Sequence, residues 1–242
     1  RMNQVFAELF LGDGADELFG SYLSHRIAQP IRNHIDYLRT DDPRYDTYPL
    51  FEDNMDFLKR IAEPEDWNWR YNLLVFSDEE KKGLYSPAAA QTAAAYDTRR
   101  HLRDYFNGLT AGDPINRILE AEFRGFFPDQ VLAFVDRLSM AHSLEVRTAY
   151  LDPDFIRLAA SIPGRLKIKD GNVKYILKKA ALKYLPRELV FREKEGFIMP
   201  INSWLLSGLR DYVSEMLAPA MLKKHGFFNA SYVRRLLDGF YG

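Results

Sequence analysis

The chain has 242 residues, enough to bury a full core as one large domain or two small ones. Apolar residues make up 47% and charged residues 28%, the composition of a folded chain, and 33 Lys plus Arg against 34 Asp plus Glu leave no electrostatic footprint for a nucleic-acid or membrane partner. The absence of cysteine excludes disulfide scaffolds, zinc ribbons and thiol catalysis, and with no apolar run near about 18 residues and no signal-peptide pattern at the N-terminus, a cytoplasmic location is expected.

Residues 4–11, QVFAELFL, read as a short buried strand that ends in a turn at Gly12. A helix is expected to start at Ala15 or Asp16, which puts the stretch FLGDGADELFG, residues 10–20, at a strand-to-helix corner. Free backbone N–H groups and a positive helix end at such a corner favour anions. Residues 40–70 are polar and aromatic with several prolines, and are expected to form loops with short helices. Ser77 and Glu80 stand at capping-box spacing, so a helix starts there. Ala88 to Phe106 is alanine-rich and is expected to be helical.

Asp113 and Pro114 form an N-cap and N1 pair for a helix through Phe123, and Pro128 opens the next. In that second helix Val131, Leu132, Val135 and Leu138 make an apolar stripe, with Asp136, Ser139 and His142 on another face. Asp152 and Pro153 repeat the cap pattern ahead of Phe155, Leu158, Ala159 and Ile162, expected to be buried, with Pro163 as the stop. Further helices fit Val173 to Tyr184, Ser203 to Leu217 and Ser231 to Leu237. The fold is therefore expected to be mainly α, with at most one or two strands near its start.

Three segments carry candidate chemistry. Asp13, Asp16 and Glu17 crowd three carboxylates into five positions among glycines, and such a group repels itself unless a cation or a donor-rich ligand intervenes. The spacing does not fit a calcium-binding EF-hand loop; a solvated turn with an acidic cap and a magnesium–phosphate corner both remain open. In the second reading Gly12 and Gly14 allow close backbone approach to phosphate. Asp136 and Arg137 interrupt the apolar stripe, and a lone carboxylate on a half-buried helix needs a partner, which makes both candidate substrate contacts. Glu145, Arg147 and Asp152 fit an ion-paired corner as well as a catalytic one. Arg192 and Lys194, at alternate positions, point the same way in an extended segment before Gly196, either as a charged surface loop or as cations for a phosphoryl or acyl anion. The five histidines show no metal spacing.

Taken together, LGDGADELFGSY, DRLSMAHSLEVRTAYLD and KYILKKAALKYLPRELVFREKEGFIMP resemble, in this order, the C-terminal synthetase domain of the glutamine-dependent asparagine synthetase family. The resemblance covers residues 10–22 and 126–205 well and the middle loosely. It implies the helical C-terminal part of an α/β PP-loop domain, similar to the adenine nucleotide alpha hydrolases. It further implies an ATP- and magnesium-dependent ligase that adenylates the side-chain carboxylate of aspartate for attack by ammonia channelled from glutamine. Asp16 matches the family's magnesium-binding aspartate, Asp13 a Glu or Asp position facing the substrate, and Lys194 the lysine that steadies the pentavalent phosphorus and the pyrophosphate. The family's SGGxDS loop and its glutaminase domain would lie upstream of Arg1. Residues 1–242 are accordingly expected to be a single-domain fragment, inactive alone; family members often form homodimers, and no residue of this sequence shows whether it does. Leu11, Ser21 and the Ala149-Tyr150 pair depart from the family's usual Ser, Gly and Pro-Phe. A relative acting on another carboxylate, as in β-lactam ring closure, and a non-catalytic helical binding module are the alternatives.

Overall fold

The computed structural model describes residues 7–22, 25, 67–71, 74–192 and 199–242. Along the chain these form β1 (Ala7–Leu11), α1 (Ala15–Phe19), α2 (Asn68–Tyr71), α3 (Asp78–Leu84), α4 (Pro87–Ala93), α5 (Thr98–Asn107) and α6 (Pro114–Arg124). There follow a π-helical turn at Phe127–Leu132, α7 (Ala133–Ala141), β2 (Leu144–Thr148), a 3₁₀ turn at Ala149–Leu151, α8 (Pro153–Ser161) and α9 (Gly164–Lys167). The last elements are α10 (Tyr175–Ala181), α11 (Arg187–Val190), α12 (Ile201–Leu206), α13 (Arg210–Met216), α14 (Pro219–His225) and α15 (Ala230–Tyr241). The chain is thus mainly helical, and no helix among the described residues is long and apolar enough to cross a membrane. The loops expected over 40–70 lie almost wholly outside the described residues.

Two compact units divide the chain, one of Arg1–Trp69 with Tyr105–Arg192, the other of Arg70–Asp104 with Glu193–Gly242. In the first, β1 pairs parallel with β2, Ala7 opposite Leu144 and Leu11 opposite Thr148. The second strand lies far from the start of the chain, where none was expected. Glu145 and Arg147 stand on it two positions apart and therefore on one face, joined by a 2.8 Å ion pair. The ion-paired reading of these residues holds, on a strand rather than at a helix corner.

The core of this unit gathers Leu18 and Phe19 of α1 and Ala159 of α8, with Phe123, Tyr150, Phe155, Ile156 and Ile176 packed around them. Both expected proline caps form: Asp113 accepts from Asn116 N at 2.9 Å, and Asp152 from Asp154 N and Phe155 N at 2.9 and 3.0 Å. The apolar faces are less buried than their periodicity predicts. Leu158 is 60% exposed, and of the stripe leading through α7 Leu138 is 51% exposed while Val131, Leu132 and Val135 are only partly buried. Periodicity shows that a helix has an apolar face and leaves open whether anything covers it. Pro128 falls at the start of the π-helical turn that leads into α7, where its missing N–H leaves no ladder bond unmade.

In the second unit Ser77 accepts from Glu80 N at 3.2 Å while Glu80 accepts from Ser77 N at 2.7 Å, the capping box that the spacing predicts. Leu84 of α3, Leu222 of α14 and Val233 of α15 make its core. Helix α3 is tied to the C-terminal segment by Ser86 N to Phe227 O at 2.9 Å and Asn229 N to Leu84 O at 2.8 Å. The single helix expected over Ala88–Phe106 is two, because the Asp97 side chain accepts from Arg100 N at 3.1 Å and starts a new helix. The helix expected over Ser203–Leu217 is likewise broken: the Ser207 hydroxyl bonds back to Ser203 O at 2.6 Å beside Gly208, a poor helix former.

Candidate functional site

Because β1 and β2 are parallel, their carboxyl ends open on one side, the side on which α/β sheets bind ligands. β1 runs into the Gly12–Gly14 turn and β2 into the 3₁₀ turn at Ala149–Leu151. Gly14 has φ +94°, and a Cβ there would stand 2.9 Å from Leu151 Cδ2 and 3.4 Å from Tyr150 Cβ. Backbone conformation and the neighbouring turn both demand glycine. Gly12 differs: among the described residues nothing stands within 4 Å of the place its Cβ would fill, which leaves its backbone open on that side. The turn closes through Ala15 N to Gly12 O at 3.3 Å and Leu18 N to Gly14 O at 2.9 Å. Helix α1 has only five residues, so the helix-end field expected at this corner is weak, and the charged side chains carry its electrostatics.

The three carboxylates part company. Glu17 is 2% exposed and turns inward, where Tyr22 Oη donates to its Oε1 at 2.7 Å. Burial pushes the Glu17 carboxyl above its usual range against that hydrogen bond, and burial together with Glu17 raises the Tyr22 phenol. Asp16 forms an ion pair with Lys174, both side chains about a quarter exposed. Lys174 stands at the N-cap of α10 with φ +54°. Asp13 is left with its Oδ2 buried and without a hydrogen-bond partner among the described residues. Burial, and then the Asp16 charge, raise its carboxyl above the ordinary value. The self-repulsion foreseen in the sequence is thus relieved at Asp16 by a lysine and at Glu17 by a phenol. At Asp13 it persists.

Hard carboxylate oxygens at Asp13 and Asp16 fit magnesium, which takes one or two carboxylates and completes its shell with phosphate and water. No cluster of three or more acidic or histidine side chains among the described residues would hold a metal unaided. A cation at Asp13 would relieve the charge that burial and Asp16 penalise.

The fold brings Gly12, Asp13, Gly14 and Asp16 into one corner. Asp136 and Arg137 are both exposed on α7, so Asp136 is solvated and the half-buried carboxylate in need of a partner is corrected. Among the described residues no hydrogen bond or ion pair joins either of them to the corner. Arg192 is exposed beyond α11, and Lys194 lies outside the described residues. Sequence reasoning missed Lys174, Tyr22 and the inward turn of Glu17. Tyr22 had a local signal, five positions after Glu17, whereas Lys174 is too distant in sequence from Asp16 to give one.

The glycine-lined acidic turn stands at the carboxyl ends of two parallel strands among helices, the place where α/β folds bind ligands. The chain belongs to the asparagine synthase family, whose model matches residues 4–242, and the family's domain has an adenine nucleotide alpha hydrolase-like fold. It is 26% identical to asparagine synthetase [glutamine-hydrolyzing] 1 of Bacillus subtilis over 94% of this chain and 36% of that protein. A putative asparagine synthetase of Mycobacterium tuberculosis is 29% identical over 81% of this chain and 30% of its own length, and an amidase, chry2, of Gibberella zeae is 22% identical over 98% and 38%. The chain spans about a third of the length of these relatives. No solved structure matches it.

Proposed function

We propose that this chain is the C-terminal part of the synthetase domain of an ATP-dependent amide-forming ligase. Its reaction joins the side-chain carboxylate of aspartate to the α-phosphorus of ATP with loss of pyrophosphate, and ammonia from glutamine then displaces AMP to give asparagine. The observation that carries this reading is the open backbone at Gly12 beside the partnerless buried oxygen of Asp13, in a chain of this family. Gly12 admits the triphosphate in the turn that Gly14 shapes, Asp16 and Asp13 hold magnesium, and the ion supplies positive charge between carboxylates and phosphates. Lys174 holds Asp16 in place until the ion binds. Arg192 and Lys194 contribute cations to the nucleotide and the leaving pyrophosphate, and Asp136 and Arg137 contact the acceptor.

The test is aspartate-dependent exchange of pyrophosphate into ATP by the intact protein, and no exchange with aspartate refutes the reading. Asp16→Asn weakens magnesium-dependent nucleotide binding, and Lys194→Ala lowers turnover more than affinity. Because a relative over nearly the whole chain is an amidase, other carboxylic acids belong in the same assay. Exchange with one of these and none with aspartate assigns a different acceptor.

A further inference from the structure

Within the first unit a cavity of about 400 Å³ lies between α1, α6, α8 and the end of α9. Lys167 lines it and is 2% exposed, yet it makes no hydrogen bond or ion pair among the described residues. Asp113, whose charge opposes the effect of burial on Lys167, is already engaged as the N-cap of α6. In the same cavity wall Asn116 spends its Nδ2 on Ile162 O at 3.1 Å, and its Oδ1 is buried without a donor among the described residues. Glu17 closes one wall, and Leu119, Phe123 and Ile156 supply an apolar floor.

A lysine 2% exposed with no partner among the described residues, and a buried amide oxygen without a donor, are each costly to leave unsatisfied. Together they describe what would satisfy them: an anionic group for Lys167, an N–H donor for Asn116 Oδ1 with Glu17 adding negative charge, and an apolar body for the floor. We propose that this cavity binds a small apolar α-amino acid, its carboxylate on Lys167, its ammonium toward Asn116 and Glu17, and its side chain against Leu119, Phe123 and Ile156. The volume suits such a ligand, being at the small end of small-molecule sites. The site is separate from the Gly12–Asp16 turn, sharing only Glu17 and Leu18 with the acidic stretch, so the inference stands or falls independently of the adenylation chemistry.

Calorimetric titration of the intact protein, in the absence of ATP, tests this with three probes: L-leucine, 4-methylpentanoate, which lacks the ammonium, and 3-methylbutylamine, which lacks the carboxylate. Leucine is expected to bind one to one, and each truncated probe at least about tenfold more weakly, the scale of one lost charged contact. Lys167→Met is expected to lower leucine affinity at least tenfold. Ala160→Leu, an exposed position at the rim of the cavity, is expected to do the same with Lys167 intact. Absence of saturable leucine binding, equal binding of the truncated probes, or unchanged affinity in both variants overturns the proposal. Pyrophosphate exchange, measured separately, reports on the other site.

Discussion

Replacing Lys167 by methionine should stabilise the protein at neutral pH. The side chain is buried without a partner among the described residues, and burial lowers its ammonium from 10.5 to about 8 against the opposing pull of Asp113. At about 1.4 kcal/mol for each tenfold, that gap sets a ceiling of ~3 kcal/mol on the penalty, and water reaching the cavity lowers the expected gain to about 2 kcal/mol. The pH dependence is the sharper readout. Below pH 8 the lysine is charged in both the folded and the unfolded states, and the penalty is fully present. As pH rises through 8 the folded chain releases the proton first while the unfolded chain keeps it to about 10.5, so the parent gains stability that the variant does not. Urea unfolding of parent and variant at pH 7 and pH 9 should show their difference shrinking by about 1 kcal/mol. Other groups titrating in this range cancel in the comparison. A variant less stable than the parent at pH 7, or a difference that does not move with pH, refutes the reasoning. A stabilising loss of a lysine is also what a ligand site predicts, since the charge that binds the ligand strains the empty fold.

Gly14→Ala should cost about 2 kcal/mol in urea unfolding, from its positive φ and the 2.9 Å approach of Leu151, while Gly12→Ala should stay within about 0.5 kcal/mol and weaken only ATP binding. An equal loss of stability in the two would contradict the geometry of the turn. Asp16→Asn removes the like charge beside Asp13, so the Asp13 carboxyl, followed by carbon-detected NMR, should titrate at lower pH than in the parent. In a double-mutant cycle Asp16→Asn and Lys174→Met should couple by about 1 kcal/mol, a value between exposed and buried ion pairs. Ser77→Ala should destabilise by about 1 kcal/mol through the capping box alone, measured by thermal unfolding.

The acidic corner was legible because its parts are adjacent in sequence: a strand, glycines where the backbone must turn, and carboxylates on a following helix. The caps at Ser77, Asp113 and Asp152 were legible for the same reason, each being an interaction over two or three positions. Helix lengths were not, since Asp97 and Ser207 each offer the backbone a local hydrogen bond that competes with helix continuation. The exposed faces of α7 and α8 show the limit of periodicity, which marks an apolar side without naming what covers it.

Local chemistry therefore determined by itself where the chain turns, where most helices begin, and that three acids share one short loop. Only the tertiary structure decided what each acid meets, because Lys174 reaches Asp16 from a helix more than a hundred residues away in the chain and Glu17 is drawn into the core with Tyr22. It also decided that Lys167 stands unpaired in a cavity, since burial and partnership belong to the packing of α1, α6, α8 and α9 and are written in no single stretch of sequence.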